Sequence, residues 1–186
     1  MSNWDLDPAH SEIEFAVRHM MVTTVRGQFH KFAMATNLDE AHPELSTVEA
    51  HIDAASIDTG MDARDTHLRS ADFFDAAKFP ELVFRSTGIK KVGGDGYAID
   101  GDLTMHGQTR PVTLDAEIGG IVPDMRGGRR AGFSASTKIS RKEWGLIWNG
   151  ALESGGVLVG DEVKITMDVA VVQAEMATAK EPAGVA

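Results

Sequence analysis

Val163, Ile165, Met167, Val169 and Val171 alternate with Lys164, Thr166 and Asp168. An extended strand with one face on an apolar interior puts such residues on opposite sides. The same rhythm runs through most of the chain. Ile13, Phe15 and Val17 alternate with Glu12, Glu14 and Arg18. Val48, Ala50, Ile52 and Ala54 interleave with Glu49, His51 and Asp53, and Leu82, Phe84 and Ser86 follow. Ile99, Leu103 and Met105 oppose Asp100, Asp102 and Thr104, while Val112, Leu114, Ala116 and Ile118 oppose Thr113, Asp115 and Glu117. Phe133, Ala135, Thr137 and Ile139 resume the pattern.

Tight turn signals separate these runs, above all Gly93-Gly94-Asp95-Gly96 and His106-Gly107-Gln108-Thr109. Alternating strands joined by tight turns predict an antiparallel sheet. With about eight or nine such strands, the sheet splits into a sandwich or closes into a barrel. The expected fold is all-β, an antiparallel barrel of roughly eight strands with one short helical insertion. A barrel of that size holds its own side chains or one small ligand.

Three irregularities qualify the pattern. The apolar phase flips from Val25, Gly27 and Phe29 to Phe32, Met34 and Leu38, which predicts a β-bulge near His30-Lys31. Residues 119–130, rich in glycine and arginine, read as a flexible polar loop, and Trp144 to Gly160 as an irregular stretch. Residues 1–173 read as a single domain and 174–186 as a disordered tail.

Residues 64–74, Arg-Asp-Thr-His-Leu-Arg-Ser-Ala-Asp-Phe-Phe, break the strand rhythm. Asp62 can cap a helix running to about Arg69, and Ser70 a second short turn. Charge followed by two phenylalanines suits the mouth of an apolar cavity, a polar rim above a greasy plug. On local sequence alone, a short surface helix whose aromatics dock on a sheet is the plainer reading.

The net charge of −10 repels phosphate backbones and anionic lipid surfaces, which argues against a nucleic-acid partner. With no cysteine there is no disulfide, thiolate metal site or cysteine nucleophile. The start Met1-Ser2-Asn3-Trp4 has no basic or apolar leader region, and no apolar run approaches a membrane span, so a cytoplasmic location is expected. The seven histidines show no zinc spacing, and no cofactor or metal is expected. The carboxylate pairs Glu12/Glu14 and Asp100/Asp102 fall on solvent faces, unsuited to acid–base work. There is no nucleophile elbow and no catalytic constellation. Apolar surface remains as the main resource.

Taken together, the motifs resemble the YceI family of lipocalin-like proteins from Trp4 to about Val172. The resemblance rests on Trp4-Asp5-Leu6-Asp7-Pro8-Ala9-His10-Ser11, Phe15-Ala16-Val17-Arg18-His19-Met20-Met21-Val22 and Val25-Arg26-Gly27-Gln28-Phe29. Its most specific block is Arg64 to Phe74 followed by Phe79-Pro80, and then come Gly101 to Gly107, Ala131-Gly132-Phe133, Arg141 and Gly145. Residues 146–160 match only loosely. The resemblance implies a barrel holding a polyisoprenoid or other long-chain lipid, and a homodimer. Many family members carry a leader and are periplasmic, which this chain is not expected to be.

The energetics favour a long ligand. Each buried CH₂ contributes roughly 0.8 kcal/mol, so an isoprene unit contributes about 3–4 kcal/mol gross, against an association cost of about 4–15 kcal/mol. Several units therefore clear that cost without any specific polar contact. Strand parity and the aromatic runs give a candidate lining of Phe15, Val17, Phe29, Phe32, Leu68, Phe73, Phe74, Phe84, Leu103, Met105, Phe133, Trp144 and Trp148. His19, Arg64, His67 and Arg69 are candidate mouth or head-group residues. Two alternatives stay open: an enzyme acting on a hydrophobic molecule through His19, His67 and Asp65, and an interaction module whose barrel is filled.

Overall fold

The computed structural model describes residues 2–124, 128–152 and 155–173. The expected 174–186 tail lies outside these residues. Among the described residues, eleven strands form one antiparallel sheet. They are β1 (Ser2–Leu6), β2 (Glu12–His19), β3 (Thr23–Phe29), β4 (Phe32–Leu38), β5 (Thr47–Asp53), β6 (Ile57–Asp58), β7 (Glu81–Gly93), β8 (Gly96–Met105), β9 (Gln108–Pro123), β10 (Arg129–Ser140) and β11 (Val159–Gln173). Among the described residues, one α-helix, α1 (Asp62–Arg69), lies between β6 and β7.

The circuit β1-β4-β5-β7-β8-β9-β10-β11 closes because β1 also pairs with β11. This is the closed antiparallel eight-stranded barrel that the alternation predicts. Beyond that ring the wall continues as β11-β2-β3-β6. The first three staves are therefore each broken in two. Pro8–His10 interrupts β1/β2, where Ser11 Oγ accepts from Ala170 N at 3.0 Å and so replaces a ladder bond. His30-Lys31 interrupts β3/β4, and Ala54–Ser56 interrupts β5/β6. The last two breaks interlock: His30 N donates to Ser56 O at 3.2 Å, and Asp53 N to Lys31 O at 2.9 Å. The phase flip at His30-Lys31 is thus a break between strands rather than a β-bulge. Both sides turn together, so no extra residue is needed.

A second correction concerns residues 119–130. Pairing with β10 carries β9 through Gly119 and Gly120 to Pro123, with a register shift at Gly132/Phe133. Strand pairing needs only backbone groups, so the glycines do not end it. Helix α1 begins at Asp62 with Met61 at its N-cap position and no side-chain cap.

One end of the barrel carries the Leu38–Thr47 connection, the β7–β8 hairpin and the start of β10. The opposite end carries the β2–β3 turn, α1 and the Arg141–Leu158 segment.

Candidate functional site

The inward side chains do not fill the barrel. A cavity of about 540 Å³ runs along it, bounded by 43 residues, most of them apolar. Phe15, Phe133, Ile165 and Met167 point inward yet are only half-buried, because their free surface looks into this cavity. The middle of the wall is Met34, Ala50, Phe84, Leu103, Leu114, Ala116 and Ala135. A hollow interior overturns the filled-barrel alternative.

The two ends differ. At the Leu38–Thr47 end the lining becomes polar, with Asp39, Glu40, Ser46, Asp95 and Tyr97. Glu40, Asp95 and Gly120 are exposed, so the cavity meets solvent here. Arg129 donates twice to Glu40, at 2.6 and 2.7 Å. That guanidinium holds the Glu40 carboxyl below its usual pKa. At the opposite end the lining is Val17, Phe29, Leu68, Phe73, Phe74 and Leu146. Phe15 and Phe29 pack with ring centroids 5.7 Å apart, and Phe29 and Phe74 at 6.0 Å edge to face. These rings form a closed floor.

Arg141 also borders the floor and is only 4% exposed. Its guanidinium donates to the carbonyls of Leu146, Trp148, Val159 and Gly160. Burial pulls its pKa down, opposed by Asp161. It is a structural clasp that gathers the irregular segment after β10 over the barrel end.

Ten of the thirteen residues expected to line the interior do so: Phe15, Val17, Phe29, Leu68, Phe73, Phe74, Phe84, Leu103, Met105 and Phe133. The other three do not. Phe32 packs against the core cluster away from the cavity. Trp144 is buried behind the wall, its Nε1 donating to Leu103 O at 3.0 Å. Trp148 stacks edge to face on His67, 4.7 Å between ring centroids.

The expected mouth residues lie at the floor end, outside the cavity. Arg64 donates to Thr59 Oγ1 and Thr59 O at 2.7 and 2.8 Å, and Arg69 to Ala55 O and Ile57 O at 2.8 and 2.7 Å. Both arginines satisfy carbonyls that the short β6 leaves unpaired, and so bolt α1 to the wall. Buried Asp65 completes the joint by accepting from Thr59 N at 3.0 Å. His67 bonds Asp72 at 2.9 Å, and His19 ends β2 in register with Val159. The charged stretch is therefore a stopper, and the polar mouth is at the other end. Sequence reasoning missed Asp39, Glu40 and Tyr97. The available signal was their position at the ends of inward-facing runs: Met34, Thr36, Leu38 in one case and Tyr97, Ile99 in the other.

None of His19, His67 and Asp65 borders the cavity. Among the described residues, no three His, Asp or Glu side chains converge to hold a metal ion, and no helix is long and apolar enough to cross a membrane.

Comparison with known proteins agrees with this architecture. A UPF0312 protein of Vibrio cholerae is 39% identical over 147 residues, covering 79% of this chain and 78% of the relative. Protein YceI of Escherichia coli is 41% identical over 142 residues, covering 76% and 74%. The crystal structure of Burkholderia cenocepacia BcnA superposes with a TM-score of 0.79 at 25% identity, covering 89% of this chain and 99% of that one. A polyisoprenoid binding domain from Saccharophagus degradans has the same fold, with a TM-score of 0.64 at 13% identity, covering 94% and 99%. The YceI-like domain matches residues 4–171, and with that match over nearly the whole barrel the chain belongs to the YceI family.

Proposed function

We propose that this protein binds a long-chain isoprenoid or similar amphiphilic lipid inside its barrel, as a carrier, store or sensor and without catalysis. The observation that carries the reading is the cavity itself: about 540 Å³, apolar along its length, polar at one end and closed by aromatic rings at the other. Such a shape suits one chain inserted tail first. Solvation then supplies most of the affinity, roughly 0.8 kcal/mol per buried CH₂. The Saccharophagus degradans domain of the same fold, described as polyisoprenoid binding, supports the ligand class. The reading includes a cytoplasmic homodimer, which cell fractionation and sedimentation test separately.

Organic extraction of the protein from its native host, followed by mass spectrometry, tests the proposal. A stoichiometric prenyl lipid is expected. Leu103→Trp, which puts a ring into the middle of the cavity, should abolish its recovery while the protein stays folded. A clean extract from folded wild-type protein, together with no uptake of added prenyl lipid, would overturn the reading.

A further inference from the structure

The cavity has a definite length, and two strands follow its wall from rim to floor. On β8 its border runs from Asp95 through Ile99 to Met105, and on β11 from Val169 through Ile165 to Val159, ten residues in each case. At about 3.3 Å per residue and the 35–45° tilt usual for barrel strands, ten residues advance about 25 Å along the axis. A volume of about 540 Å³ spread over that length leaves an average cross-section of about 22 Å².

Both dimensions restrict the ligand. With carbon atoms in contact at about 4 Å, one hydrocarbon chain takes up roughly 20 Å² in section. One chain fits, whereas a chain doubled back on itself needs about twice that area. An isoprene unit adds four main-chain bonds of about 1.5 Å, which advance an extended chain by about 5 Å. The far end does not yield further length. Phe74 rests edge to face on Phe29 and Phe73 on Trp148, 5.3 Å between ring centroids, and Leu68 borders the floor from α1. Arg64 and Arg69 fasten that helix to the wall. At the near end the rim opens to water, so any further length of chain leaves the apolar interior.

We infer that the barrel is a length gauge for a single extended prenyl chain of about five isoprene units, with Leu68 and the aromatic floor as its stop. This rests on the lipid reading above and assigns the chain-length class within it. The gauge can be reset at a chosen depth. Ala135 borders the cavity and pairs with Ala116, three residues below Gly132, which pairs with Gly120 at the rim. A ring at Ala135 leaves room for about two units above it. A ring at Leu68 raises the floor by about one unit.

Delipidated protein is incubated with phosphatidylcholine vesicles carrying one all-trans prenol at a time, in a series from about two to eight isoprene units that brackets the gauge. The protein is separated from the vesicles, and its prenol is counted by mass spectrometry. A chain that fits exchanges one apolar surrounding for another, so loading should be similar up to about five units. A longer chain must bring its excess from bilayer into water, so loading should fall at least tenfold by about eight units. Ala135→Phe should move the cut-off to about two units and Leu68→Trp to about four, each read on protein shown to be folded by circular dichroism. If the longest prenol loads as well as the five-unit one, or if the folded variants keep the wild-type cut-off, the gauge is overturned while the lipid reading stands. If wild type takes up no prenol of any length, the lipid reading falls and the gauge with it.

Discussion

Gly27 lies opposite Phe15 in the β2–β3 ladder, and the Phe15 ring covers it so closely that a Cβ there would fall 2.4 Å from Phe15 Cζ. The absent side chain is what lets the ring lie flat against the wall and still border the cavity. The same device recurs on the other side of the barrel. A Cβ on Gly101 would fall 2.4 Å from the Phe84 ring and 2.6 Å from Arg85 O.

Alanine at these glycines should therefore destabilise, but unequally. Gly27→Ala meets the tip of an aromatic ring that can tilt, and should cost about 1–2 kcal/mol. Gly101→Ala also meets backbone that cannot yield, and should cost about 3 kcal/mol. Urea denaturation with unchanged m-value checks the order. Gly27→Ala should also reduce lipid capacity, because the displaced Phe15 ring moves into the cavity.

Arg141 should be intolerant of its nominal conservative change. Lysine cannot reach four carbonyls with one ammonium, so Arg141→Lys leaves buried acceptors unpaired. We expect a loss of about 3 kcal/mol or more. In hydrogen exchange the segment from Leu146 to Val159 should lose protection ahead of the strands.

Acid and base should erode stability through different residues. The Arg130 hydrogen bond, aided by His10, lowers the Asp7 pKa. Its contribution is full above the unfolded-state value of about 3.9 and is lost as pH falls through the lower folded value. Asp7→Asn should therefore be less stable at neutral pH and show a flatter acid limb. His51 behaves in the opposite sense, since its bond to Glu49, with help from Glu81, raises its pKa. That contribution is full below about pH 6.5 and is lost as pH rises through the raised folded value. His51→Gln should remove this decline. Denaturant midpoints across pH check both variants.

The floor should behave as a stopper. Phe74 borders the cavity and rests on Phe29. Phe74→Ala should destabilise by about 2–4 kcal/mol and speed lipid release several-fold in stopped-flow transfer to acceptor vesicles. Substitutions at Arg110, exposed and not bordering the cavity, should not change release.

The wall was legible in the sequence and the ends were not. Parity is local: Ile99, Leu103 and Met105 must share a face whatever surrounds them. An arginine's role is not local. Arg64 and Arg69 look like solvated charges until β6 is seen to leave carbonyls at Thr59, Ala55 and Ile57 for them. Trp144 and Trp148 follow no period, so only the position of the segment clasped by Arg141 determines that they stand outside the cavity. The mouth was missed because Asp39 and Asp95 belong to turns far apart in sequence, and only the folded sheet brings both to the border of one cavity.

That closure has a consequence in time as well as space. The seam joins Trp4 to Gln173, Asp5 to Val172 and Leu6 to Val171. Strand β1 can pair with β4 early but must wait for β11 before its second edge is covered. Contacts of such sequence separation form slowly. Until they do, the nascent chain is a curved, open trough with its apolar face uncovered, so the enclosed interior is the last feature to be completed.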